Sequence, residues 1–239
     1  MPDNKDPYHL FLLIGQSNMA GRGIVAEEDR SINPQVVTLN KDEEWVPAVD
    51  PIHFDKPFAG VGPGRSFAVA VAEEHPGITI GLIPSAVGGS PLSSWEPGTL
   101  DPATNTYPYD DAMRRTRKAK EAGMLKAILW HQGEIDSNET LAPRYKEKLI
   151  TLIGRLRQEL GDPALPFLIG QLGHFSEKPW DQWWRLVNEA HQEVAQEIEG
   201  VYFVSSNGLK HKGDILHFSA AAARELGKRY ARIYNERVE

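Results

Sequence analysis

Four short segments carry the side chains that acyl transfer needs. Gly15-Gln16-Ser17-Asn18-Met19 offers a hydroxyl beside a glycine. Pro84-Ser85-Ala86-Val87-Gly88-Gly89-Ser90 offers backbone N–H groups in a glycine turn. His131-Gln132-Gly133-Glu134 offers an amide and a carboxylate, and Asp214-Ile215-Leu216-His217 an acid three residues before an imidazole. A nucleophile, oxyanion donors, a base and an orienting acid are the parts of serine-nucleophile chemistry. Each part alone has a plainer reading. A serine after a strand is usually a turn residue or a helix cap. An Asp and a His three apart can share no more than a local hydrogen bond. Gly-Gly marks a tight turn, and a glutamine at a strand end can satisfy one buried backbone group. What favours chemistry is their joint placement.

That placement comes from the elements. Apolar runs recur at His9–Ile14, Val36–Leu39, Thr79–Ile83, Ala127–Trp130, Phe167–Gly170 and Val201–Val204. They are short and mostly continuous, as strands covered on both faces should be. Helical patterns fall between them. Leu141, Tyr145, Leu149, Leu152, Leu156 and Leu160 form one apolar stripe that Gly161-Asp162-Pro163 ends. Further helices are predicted over Arg65–His75, Tyr109–Ala122, Asp181–Glu199 and Ser219–Val238, the last capped by Ser219. Strand and helix in alternation predict an α/β fold, a mostly parallel sheet between helix layers, formed by residues 1–239 as one domain. Such sheets bind ligands at the carboxyl ends of their strands, which is where three of the four segments begin.

Composition narrows the classes. The 239 residues include no Cys, which excludes a thiolate nucleophile, a disulfide framework and the usual structural zinc ligands. With 26 Lys+Arg against 33 Asp+Glu and no basic run, neither nucleic acid nor an anionic membrane is an expected partner. The start, with Asp3 and Asp6 against Lys5, lacks the positive region of a signal peptide. As written the sequence reads as cytoplasmic, or as secreted or periplasmic if a leader has been removed. Asn138-Glu139-Thr140 matches a glycosylation triplet, a pattern common by chance. The G-x-S-x-G elbow of α/β-hydrolases is missing, since the chain reads Gly15-Gln-Ser-Asn-Met19. A metal site drawn from His131, Glu134, Asp214 and His217 lacks H-E-x-x-H and splits over two loops. Gly21-Arg-Gly-Ile-Val-Ala26 matches a dinucleotide fingerprint by letters but runs into Glu27-Glu28-Asp29-Arg30 rather than an apolar helix.

Gly15-Gln-Ser-Asn-Met19, Gly88-Gly-Ser-Pro-Leu-Ser-Ser-Trp95, His131-Gln-Gly-Glu134 and Asp214-Ile-Leu-His217 together resemble the four blocks of a known family. It is the sialate O-acetylesterase and acetylxylan esterase branch of the SGNH hydrolases, carbohydrate esterase family 6. The blocks fall in the family's order from residue 15 to 217. The resemblance implies a flavodoxin-like three-layer α/β/α sandwich and no metal or organic cofactor. It makes Ser17 the nucleophile, His217 the general base and Asp214 the residue that orients the imidazole. The oxyanion hole would comprise the N–H of Ser17, the N–H of Gly89 and the side-chain amide of Gln132. Ser90 stands where Thr is more usual. Glu134 is a second carboxylate able to serve as the triad acid. The D-x-x-H spacing favours Asp214, leaving Glu134 to brace the loop through backbone hydrogen bonds.

The implied substrate is an acetylated saccharide. An acidic chain is not obviously suited to anionic sialic acid, so a neutral sugar such as acetylated xylan is preferred. Sialate O-acetylesterase, a general short-chain carboxylesterase and a catalytically silent carbohydrate-binding protein are the alternatives. Candidate substrate contacts are Gln16, Arg65, Trp95 in the long Pro84–Pro108 loop, and His174 after the fifth run. Trp95 has the alternative role of loop anchor, and Arg65 that of an ion-pair partner. Trp180, Trp183 and Trp184 lie at helical spacing, where docking of their helix is the default reading.

Overall fold

The first apolar run becomes β1 (Tyr8–Gly15), the central strand of a seven-stranded sheet in a computed structural model that describes residues 7–238. The acidic start with Asp3, Lys5 and Asp6 lies outside the described residues. A single turn, α1 (Ser17–Ala20), follows β1 directly. Then come β2 (Val36–Leu39), β3 (Trp45–Pro47), α2 (Pro63–Glu74), β4 (Ile80–Pro84) and α3 (Pro108–Ala119). The chain continues through β5 (Gly123–His131), α4 (Tyr145–Leu160), β6 (Phe167–Gly170), α5 (Gln182–Glu197), β7 (Val201–Val204) and α6 (Ala220–Arg237).

The strand order is β3-β2-β4-β1-β5-β6-β7, parallel throughout except for the antiparallel edge pair β2–β3. The edge strand β3 was not predicted. It is three half-exposed residues with no apolar run, and its Pro47 is tolerated only at an edge. Otherwise the strands fall where the apolar runs predicted them, and the architecture is the expected three-layer α/β/α sandwich.

Alternation along β1 builds both cores. Leu10, Leu12 and Ile14 point into a cluster with Met113, Leu149, Leu152 and Val187 from α3, α4 and α5. Phe11 and Leu13 point the other way, against Phe67 of α2 and Tyr230 and Tyr234 of α6. Phe11, Phe67 and Tyr234 meet edge-to-face, with centroids 4.8 to 6.1 Å apart. Burial on both faces explains why the sequence shows a continuous apolar run rather than an alternating one. The helix signals also hold. Ser219 Oγ accepts the Ala222 N–H at 3.2 Å, and Gly161 ends α4 in the left-handed region at φ 77°.

Two chain excursions from β1, one through β2 and β4 and the other through β5 to β7, place β4 and β5 on its two sides. The carboxyl end of β1 is therefore the switch point where the loops diverge and a crevice opens. Ser17 sits there. No helix of the described residues is long and apolar enough to cross a membrane.

Helices α2 and α6 cross at Gly227, where a Cβ would stand 2.1 Å from Ser66 Oγ and 2.2 Å from the Pro63 carbonyl oxygen. Gly227→Ala should therefore destabilise the protein by about 1–3 kcal/mol through overpacking, against the gain of roughly 1 kcal/mol that alanine brings to an open helix. Urea unfolding measures this. A stabilised variant would contradict the close crossing.

Candidate active site

The sequence Gly-Gln-Ser turns sharply because β5 runs alongside. Gly15 has φ 124°, and a Cβ there would lie 2.1 Å from the His131 carbonyl oxygen. The Gln16 N–H donates to that same oxygen at 2.8 Å, and the chain then enters α1 with Ser17 as its first residue. A first-turn N–H has no intrahelical acceptor, so that of Ser17 makes no backbone hydrogen bond. Ser17 is 7% exposed.

Across 200 residues of chain, the loop before α6 delivers His217 to this serine. Its Nε2 lies 3.0 Å from Ser17 Oγ, and its Nδ1 lies 2.7 Å from Asp214 Oδ2. The Nδ1–H donated to the carboxylate leaves Nε2 as the acceptor of the serine proton. Asp214 also shapes its own turn: Oδ1 accepts the N–H groups of Leu216 at 3.1 Å and His217 at 2.8 Å. Partial burial works to raise the Asp214 pKa, but the backbone and ring hydrogen bonds of His217 and the N–H of Leu216 bring it down to about 2. Ile215 between them has φ 52°, a strained conformation for a β-branched residue. His211 supports the same loop, its Nδ1 accepting from Gly213 N at 2.9 Å and Ile215 N at 3.2 Å.

Glu134 takes no part in that line. Its Oε1 accepts from Asn18 Nδ2 at 2.6 Å and lies 3.5 Å from His131 Nε2. The same Asn18 nitrogen donates to the Leu216 carbonyl at 3.2 Å, and Asn18 Oδ1 accepts the Phe218 N–H at 3.1 Å. Asn18 thus grips the backbone on both sides of His217, and Glu134 grips Asn18. The brace expected of Glu134 runs through this side chain rather than through backbone groups. Burial pushes the Glu134 pKa up, but the neighbouring His131 ring, followed by the Asn18 amide, leaves it below the ordinary value.

The glycine turn after β4 is held from two directions. Ser85 N–H and Val87 N–H bond to Leu13 O and Gly15 O, both at 2.9 Å, which lays the loop along the end of β1. The Gly88 N–H donates to Asp55 Oδ2 at 2.8 Å, and Arg22 pairs with that oxygen at 2.6 Å in a buried ion pair. A Cβ on Gly88 would strike the guanidinium at 2.1 Å. The next residue, Gly89, has φ 86° and an N–H without a hydrogen bond, an available donor.

Gln132 departs from the expected role. It is fully buried, and its amide nitrogen donates to Asp136 Oδ2 and, at 3.2 Å, to the Ser90 carbonyl. Its Oε1 accepts from Tyr145 OH at 2.8 Å. An amide has two N–H donors, and both are engaged, so Gln132 offers no free donor to an oxyanion. It cross-links the loops instead, with Asp136 also accepting the Leu92 N–H at 2.9 Å.

Two candidate substrate contacts, Trp95 and Arg65, also fall elsewhere. Trp95 is 1% exposed, donates to Ser90 Oγ at 3.1 Å and meets Trp130 edge-on, so it anchors its loop and presents no face to a sugar. Arg65 bonds the Ala48 carbonyl at 3.1 Å and Ser31 Oγ at 2.9 Å, and none of its hydrogen bonds is to a residue around Ser17. His174 is exposed and its ring packs on Trp180, 4.6 Å between centroids. Gln16 stays at the site: its Oε1 receives the N–H groups of Gly133 and Ile135 at 3.4 Å, while its amide nitrogen has no hydrogen-bond partner. Sequence reasoning missed Asn18, Arg22 and Asp55, whose roles depend on contacts between distant segments. Arg22 lies inside the discarded glycine pattern, and its neighbours Gly21 and Gly23 were the one visible signal.

A Ser–His–Asp line at the carboxyl end of the central strand, in a three-layer α/β/α sandwich, defines a hydrolase of the SGNH type. Residues 7–236 match the family model for carbohydrate esterase, sialic acid-specific acetylesterase. The chain belongs to that family and is a carboxylic ester hydrolase. It is 33% identical over 252 residues to a protein of Arabidopsis thaliana named "probable carbohydrate esterase", covering 95% of this chain and 90% of the plant protein. The solved structure of that plant protein superposes with a TM-score of 0.86 at 30% identity, covering 98% of this chain and all of the other. The structure of NanS gives a TM-score of 0.81 at 17% identity over 97% of this chain and 99% of the other. A carbohydrate acetylesterase from Xanthomonas citri gives 0.76 at 22% over 96% of this chain and 56% of the other; these two likenesses bear on the fold.

Two measurements follow from the geometry. Asp214 and Glu134 are both held below their ordinary values, so each stays ionised until the pH falls well below the imidazole range. The acid limb of log kcat/KM for ester hydrolysis should then rise with a slope of one, because neither carboxylate adds an ionisation to it. A slope of two would contradict this. Asn18→Ala removes the grip on Leu216 and Phe218 and should lower kcat about 10²-fold through misplacement of His217. Unaltered kcat in a folded Asn18→Ala protein would show that the loop holds itself.

Proposed function

We propose that this esterase removes O-acetyl groups from a saccharide through an acetyl-enzyme intermediate on Ser17. The observation that carries the reading is the unbroken line Asp214–His217–Ser17, with contacts of 2.7 and 3.0 Å. His217 Nε2 takes the Ser17 proton as Oγ attacks the acetyl carbonyl. The oxyanion of the tetrahedral intermediate accepts from the N–H groups of Ser17 and Gly89, each such donor accounting for roughly 10²–10³ in rate. The intermediate collapses, the sugar oxygen leaves with the proton from His217, and Ser17 keeps the acetyl group. Water then loses its proton to His217 and attacks that ester, and collapse returns the proton to Ser17 and releases acetate. Asp214, ionised throughout, balances the imidazolium charge and fixes its ring.

The family description and the relatives' names support a sugar ester as the substrate class. Acetate release from acetylated xylan, from an O-acetylated sialic acid and from long-chain acyl esters tests the reading. Release from either sugar, abolished by Ser17→Ala, is the expected result. Turnover confined to long-chain esters would replace the reading with a general esterase. Within the triad, Asp214→Asn should depress kcat far more than Glu134→Gln, since only Asp214 touches the imidazole. The reverse ranking would move the acid to Glu134.

A further inference from the structure

A cavity of about 200 Å³ opens beside the glycine turn, lined by its residues 84–87. Its walls include Lys41, His53, Phe54, Ser85, Thr106 and Arg115, and none of Ser17, Gly89 or His217. It is nevertheless adjacent to the site. Ala86 and Val87 line it, and Gly89 lies three residues beyond Ala86, at most about 11 Å of extended chain. Asp55 lines it too, while holding the Gly88 N–H.

One wall is tied down by hydrogen bonds. Arg115 is 3% exposed and donates to the carbonyls of Pro84 at 3.1 Å, Asn40 at 3.0 Å and Leu39 at 2.6 Å. Its guanidinium stacks on Phe54, 4.8 Å from the ring centroid, yet Phe54 remains 46% exposed. Against this frame stand two polar groups with hydrogen-bonding capacity to spare. Ser85 Oγ is buried and unpaired, and His53 is 3% exposed with one backbone acceptor beside its ring. That acceptor is the Leu13 carbonyl, whose other lone pair takes the Ser85 N–H. Burying polar groups unpaired is costly and rarely retained without a reason.

We infer that this cavity is a subsite for a neutral, hydroxylated sugar ring of the same saccharide whose acetyl group lies at Ser17, an inference that rests on the proposed function. The volume is below that of pockets for drug-sized ligands, which begin near 300 Å³, and suits a single ring. Burial first, and then the charges of Arg115 and Arg22 against the opposing Asp55, hold the His53 pKa down at about 4. The imidazole is therefore neutral, one donor and one acceptor, and the Ser85 hydroxyl likewise does both. Adjacent sugar hydroxyls also donate and accept, so they pair with both groups. The open part of Phe54 receives the C–H face of the ring. A carboxylate would fit less well. The Arg115 contacts go to carbonyls, Arg114 is paired with Asp111 and Glu43, and Lys41, the third cation of the wall, shares it with the carboxylates of Asp55 and Asp111.

The test compares acetylated xylo-oligosaccharide with p-nitrophenyl acetate on the intact protein and on Ser85→Ala and His53→Leu. The ratio of kcat/KM between the two esters should fall about tenfold in His53→Leu and several-fold in Ser85→Ala, through KM on the saccharide. Tm should stay level or rise, because each change removes a buried polar group with unmet hydrogen-bonding capacity. A ratio within twofold of the parent in both variants, or a ratio that falls together with a marked loss of Tm, would overturn the subsite. Binding of plain xylobiose to Ser17→Ala, followed by NMR titration, gives a readout free of turnover. It should be saturable and weakened by adding Ser85→Ala; binding of glucuronic acid in preference to xylobiose would overturn the neutral-sugar assignment. Full esterase activity in Ser17→Ala would instead defeat the acetyl-enzyme reading, while the xylobiose titration still decided the subsite.

Discussion

The carboxamide of Asn18 has both of its N–H donors engaged and its oxygen bonded as well, and the site depends on that. Its two N–H groups go to Glu134 and to the Leu216 carbonyl, and its oxygen takes the Phe218 N–H. One side chain thereby joins the end of β1, the end of β5 and the loop before α6. Ser17 and His217 are 200 residues apart in sequence, so holding them 3.0 Å apart requires such a joint. Glu134 supplies its fixed end. A carboxylate this buried is costly unless it is paired and hydrogen-bonded. Asn18 at 2.6 Å and His131 at 3.5 Å meet its Oε1 and keep its pKa below the ordinary value, while Oε2 is buried without a hydrogen-bond partner.

A second set of contacts does the same for the glycine turn. The Arg22–Asp55 pair grips Gly88 from one side, while Trp95, Gln132 and Asp136 grip Ser90 and Leu92 from the other. A buried ion pair is weak evidence for stability, because desolvation offsets much of the attraction. Its value here is positional. Gly89, between the two grips, keeps a free N–H aimed by a left-handed backbone that a side chain would strain. The buried polar groups beneath the site are therefore better understood as alignment than as glue.

Periodicity made the layers legible: the apolar runs became strands, and Ser219 and Gly161 marked helix limits through capping chemistry that acts locally. The Asp214–His217 contact was legible for the same reason, since both sit on one four-residue turn. What escaped depends on contacts between distant segments. Asn18 looked like part of a motif, and only the fold shows that its partners are 116 and 198 residues away. Gln132 was read as an open donor because its neighbours Asp136, Ser90 and Tyr145 reach it only after β4, β5 and α4 pack. Trp95 carries the same lesson. An aromatic in a loop rich in Gly, Pro and Ser left a sugar platform and a loop anchor both open, and only the fold, closing its ring on Trp130 and its N–H on Ser90, makes it the anchor.

The central claim is that Ser17 carries the acetyl group between the two halves of the reaction. Acid quenching during turnover of an acetyl ester, followed by mass analysis of the intact protein and its peptides, observes that state directly. The account predicts one added acetyl group, located on the peptide containing Ser17, appearing before steady turnover and lost in Ser17→Ala. An acetyl group on a different residue, or turnover persisting in Ser17→Ala, would contradict it.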